Sequence, residues 1–144
     1  MRYEYLRMSQ SVNEPASPVE QVRVLLGNRI ERSVELQGGF FQISFLLIPQ
    51  PDIDWKLAFG NVWMQHFARV TQRSASVDRE MLHVECQLTE LREFFQTLKL
   101  AVETTNNAEY ERKLRDRAKA NAEEEHKANI KRELDLLQKQ LKDL

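Results

Sequence analysis

Ile30-Glu-Arg-Ser-Val34-Glu-Leu36-Gln-Gly38-Gly39-Phe-Phe41-Gln-Ile43-Ser-Phe45-Leu-Leu47-Ile48 decides the fold class of this chain. Ile30, Val34 and Leu36 alternate with Glu31, Ser33 and Glu35, the period-2 pattern of a half-buried strand. Gly38-Gly39 is a hairpin turn, because both residues can take positive φ. Phe41, Ile43, Phe45 and Leu47 then alternate with Gln42 and Ser44 through Ile48, and Pro49 and Pro51 stop the strand. Arg69–Val77 and Arg79–Cys86 read as a second antiparallel pair turning at Asp78, with Leu82, Val84 and Cys86 on the buried side.

Helices flank these strands. Ser17, Pro18 and Glu20 have the capping-box spacing of a helix start, Val19, Val22, Leu25 and Leu26 give it an apolar face, and Gly27-Asn28 closes it. Asp52–Val70 reads as a second helix, capped by Asp54, with Phe59, Trp63, Phe67 and Val70 on one face, or as a looser loop ending in a strand. Gly60 and Asn61 weaken it by about 1 kcal/mol or more. From Leu88 onward the chain reads as one long amphipathic helix with Thr89 as its cap. Leu88, Leu91, Phe95, Leu98 and Val102 form one stripe, and Ile130, Leu134, Leu137, Leu141 and Leu144 form another. Thr104, Thr105, Asn106 and Asn107 are poor interior residues, and Asn106 with Glu109 could cap a fresh helix.

The expected architecture is therefore α+β: a small antiparallel sheet of two hairpins, helices on one face, and a long C-terminal amphipathic helix. Residues 1–16 read as a flexible leader, 17–105 as the compact α+β domain, and 106–144 as a charged, coiled-coil-like helical tail. The 144 residues carry 21 basic and 22 acidic side chains, so no global field draws the chain to nucleic acid or to an anionic membrane. A single cysteine, Cys86, forbids an internal disulfide framework and points to a reducing, cytoplasmic setting. No apolar run approaches the ~20 residues of a membrane span, and the first residues lack a secretory signal pattern.

Catalytic constellations are nearly absent. His66, His83 and His126 fall on three different elements, without metal-ligand spacing. Cys86 reads as a small buried hydrophobe. Asp52, Asp54 and Asp78 read as loop acids and caps. No glycine-rich phosphate loop opens a helix. No enzyme, metal or cofactor is expected.

Two features stand above that background. Trp55, Phe59 and Trp63 crowd one segment, as core or as a partner-binding patch. Arg112, Lys113, Arg115, Arg117 and Lys119 form a basic helix face that could contact nucleic-acid phosphates, although Glu109, Glu111, Asp116 and Glu123–Glu125 dilute it. The C-terminal stripe weighs most. Its 4-3-4-3 spacing is the a/d seam of a two-stranded coiled coil. The expectation is a non-enzymatic oligomeric binding, adaptor or chaperone-like accessory protein, a homodimer that also contacts another protein. Its tails would pair with each other or dock on the partner's domain. An intrachain hairpin at Asn106-Asn107, laying the same leucines on their own sheet, is the rival arrangement. The alternatives in function are a nucleic-acid-binding accessory protein using helix 112–119, and a small-molecule-binding domain with an aromatic pocket around residues 55–67.

Overall fold

Strand formation follows the period-2 pattern most closely where both neighbours of a strand are themselves strands. The computed structural model describes residues 19–144. It contains β1 (Leu25–Glu35), β2 (Phe40–Ile48), α1 (Ile53–Val62), a short α2 (Ala68–Thr71), β3 (Ala75–Asp78), β4 (Met81–Gln87) and α3 (Leu91–Lys142). The four strands form one antiparallel sheet in the order β1-β2-β4-β3. The α+β architecture and the long C-terminal helix are as the sequence predicts.

β2 is the centre of the core. Ile43, Phe45 and Leu47 are buried, and Ile43 and Phe45 lie opposite Val84 and Leu82 of β4. Cys86 completes the buried side of β4. Gly38 and Gly39 take φ of 73° and 79°, which lets the chain reverse tightly between β1 and β2. On the other face of β2, Ser44 is also buried, its hydroxyl 2.7 Å from His83 Nδ1. That face thus carries a hydrogen bond between the side chains of neighbouring strands.

The N-terminal strand departs from expectation in two ways. The helix expected to start at Ser17 and run through Leu26 does not form in the described residues; Ser17, Pro18 and the leader lie outside them. Leu25 and Leu26 instead pair with Ile48 and Leu47 as the first residues of β1. A two-turn helix is marginal alone, whereas here the backbone can extend an existing ladder. Nor is β1 a half-buried strand. Ile30 is 47% exposed, and Leu36, just past the strand end, is exposed too. β1 is an edge strand with two register shifts between Leu26 and Arg32, and such irregularities break the face alternation.

The helix expected over Asp52–Val70 forms, spanning Ile53 to Thr71. Asp52, not Asp54, caps α1: its Oδ1 accepts from the Trp55 amide at 2.8 Å. The helix continues beyond Val62 through a π-helical turn at Trp63–Phe67 into α2. Only at Gln72, with φ 53°, does the helical path end. The strand predicted over Arg69–Val77 is therefore reduced to β3. Aromatic stacking explains this. Trp55, Phe59, Trp63 and Phe67 form a continuous ladder with centroid spacings of 5.6, 6.1 and 5.4 Å, each step adding to area burial. That ladder also outweighs the helix penalty of Gly60 and Asn61. Phe94 of α3 meets Trp63 edge-on at 5.8 Å.

α3 packs Phe94, Leu98, Ala101 and Val102 on the same core. Thr89 is not its cap; a single 3-10 turn, Leu88–Glu90, leads in, and the Glu90 carboxylate accepts from the Gln87 amide at 3.1 Å. The helix is continuous through Asn106 and Asn107 to Lys142, so the intrachain hairpin at that point does not occur.

Candidate functional site

α3 changes character along its length, and the change happens within three turns. Asn106 is the last deeply anchored residue but one. Its Oδ1 accepts from the Val24 amide at 3.0 Å and from Trp55 Nε1 at 2.9 Å, and its Nδ2 donates to the Val24 carbonyl at 2.9 Å. Three of the four bonds an asparagine can make are thus satisfied in a buried position. They tie α3 to α1 and to the chain entering β1. The residue that reads as a helix breaker in sequence is the clip that fixes the helix. One turn on, the buried Glu109 carboxylate accepts two bonds from Arg112, both 3.1 Å. Arg112 also pairs with Asp116 at 2.9 Å and with Asp54 of α1 at 3.5 Å.

Beyond this second clip the helix leaves the body. Every residue from Ala118 to Leu144 is exposed, a projection of about 40 Å at 1.5 Å per residue. Ile130, Leu134, Leu137 and Leu141 remain 44%, 60%, 53% and 62% exposed along it. Leu144 is exposed at its end. What orders this part is its own backbone hydrogen bonding and helix propensity, not packing.

Trp55, Phe59 and Trp63 are placed in the core and present no surface to a partner. The cavity nearest them, about 110 Å³, lies between Val22, Pro51, Glu109 and Lys113, with only the edge of Trp55 in its wall. Drug-sized ligand sites run to about 300–1,000 Å³, so this cleft is small for one. The five basic residues do not share one face. Arg112 is committed to three carboxylates. Lys113 is half-buried at the cavity, while Arg115 and Lys119 are exposed. Helical spacing puts Arg112, Arg115 and Lys119 on one side and Lys113 and Arg117 on another.

No protein-family model, curated protein or solved structure matches this chain.

Remaining charged chemistry serves the fold. Arg73 holds Glu90 through two bonds of 2.9 Å and lies 5.0 Å over the Phe40 ring. The hydrogen bonds and charge of Arg73 pull the Glu90 carboxyl below the usual range. Burial pushes the Cys86 thiol up, away from thiolate chemistry. Among the described residues no cluster of three His, Cys, Asp or Glu is placed to hold a metal ion, and no helix is long and apolar enough to cross a membrane.

Sequence reasoning missed Asn106 and the Arg73–Glu90 pair. A signal for the first exists: Asn106 falls four residues after Val102, on the same stripe, where a polar side chain must find partners. The second joins residues 17 apart through a helix end and carries no local pattern.

Proposed function

We propose that this chain is a non-enzymatic binding protein that self-associates through its projecting helix, presenting its α+β body as an accessory or adaptor module. The observation that supports this is the exposed Ile130, Leu134, Leu137 and Leu141 row on a helix that cannot bend back on its own body. Fully burying a leucine is favourable by about 1.5–3 kcal/mol, so four in one row create a demand for a second surface. Their a/d spacing suits another helix of the same kind. The lone buried cysteine goes with a cytoplasmic setting.

Light scattering across the micromolar range tests the proposal. The full chain is expected at twice the mass of one chain, and the variant Leu134→Lys/Leu137→Lys at one. A full chain that stays monomeric throughout that range would refute self-association.

A further inference from the structure

We propose that the second copy binds antiparallel, with the two α3 tips overlapping over residues 127–144 and the two bodies at opposite ends of the assembly. This deepens, and rests on, the self-association proposed above.

Three observations carry the orientation. The first is where the row points. At about 100° per residue, the mean direction of the buried side chains Phe94, Leu98, Ala101, Val102, Thr105, Asn106 and Glu109 differs by about 30° from that of Ile130, Leu134, Leu137 and Leu141. The exposed row therefore lies on the half of the helix that faces the body, overhanging it. The second is continuity. α3 is one helix from Leu91 to Lys142, so whatever pairs with the row at a helix-packing distance of about 8–10 Å is carried along the whole face. In a parallel, in-register pair, residues 94–109 of one copy would fall where the sheet and α1 of the other already sit. An antiparallel pair meets only at the tips, and residues 113–126 remain clear of it.

The third is the spacing itself. The steps 130, 134, 137, 141 run 4-3-4, which reads the same from either end. An antiparallel two-fold between Asp135 and Leu136 sets Ile130 against Leu141 of the second copy and Leu134 against Leu137, twice over. The same two-fold brings Lys131 beside Gln138 of the second copy on one flank and Glu133 beside Gln140 on the other, so no like charges face each other beside the apolar row.

A spin label on Asn121→Cys reads this geometry in the full chain. Position 121 is exposed and points away from the row, and the fully buried Cys86 is shielded from the reagent. The antiparallel register puts the two labels about 45–50 Å apart. A dimer with labels about 20–25 Å apart overturns the orientation while leaving self-association standing. A single-chain mass with no label–label coupling overturns both.

Discussion

The two ends of α3 share one covalent helix and owe their order to different forces. From Leu91 to Arg112 the helix is held by buried apolar contacts and by two polar clips, Asn106 and Glu109 with Arg112. From Ala118 onward every residue is exposed and the helix rests on its own backbone bonds and propensity. Helix continuity is thus no measure of stability: the first part should open only with the whole body, the second locally and often. A body stabilised this way needs nothing from the tail, and a tail ordered this way needs another surface to keep its leucines dry.

The body can be broken where it is densest. Phe45→Ala removes a ring packed between Leu82 and the tilted Phe95 ring 5.1 Å away, and should cost about 3–5 kcal/mol in urea unfolding. Loss of that size unfolds a marginal domain. Asn106→Ala should cost about 2–4 kcal/mol, because it strands the Val24 amide and carbonyl and the Trp55 indole N–H in the interior. Asn107→Ala, on the exposed side of the same helix, should change stability by a few tenths in the favourable direction. Equal urea midpoints for the two asparagine variants would show that the clip is idle.

Those two neighbours also mark how far the sequence can be read. β2, β4 and the long helix were legible because their buried faces repeat at period 2 or 3.6, and packing answers to that period. The partners of Asn106 were not legible, since Val24 and Trp55 lie 82 and 51 residues away. Leu25 and Leu26 fit a helix face as well as a strand, and only the presence of β2 decides between them. Arg69–Val77 failed for a related reason: Val70 has strand propensity, yet the aromatic ladder before it carries the helix past that point. The C-terminal row was legible at once, while its direction toward the body side emerged only when the helix proved unbroken.

A smaller effect distinguishes a charged group of the body from one of the tail. Glu90 has its folded pKa lowered by Arg73, so the pair's stabilisation is present above the ordinary glutamate value of about 4.3 and is lost as pH falls through the lowered folded value. Glu90→Gln should cost about 1 kcal/mol at pH 7 and progressively less toward pH 3, seen as converging urea midpoints. Glu123→Gln in the tail should leave the midpoint of the body unchanged at both pH values. A comparably small effect on the body is expected from ending the chain after Ala128. It removes helical circular-dichroism signal while shifting the melting temperature of the body by no more than a degree or two at low micromolar concentration.

Hydrogen exchange along α3, measured at two protein concentrations a hundredfold apart, tests the division most directly. Amides of residues 94–109 should be strongly protected at both concentrations. Amides of 118–126 should exchange fast at both, and those of 130–141 should gain protection only at the higher one. Uniform protection from 94 to 141, independent of concentration, would contradict the separation of a self-sufficient body from a tail that gains protection only through the proposed self-association.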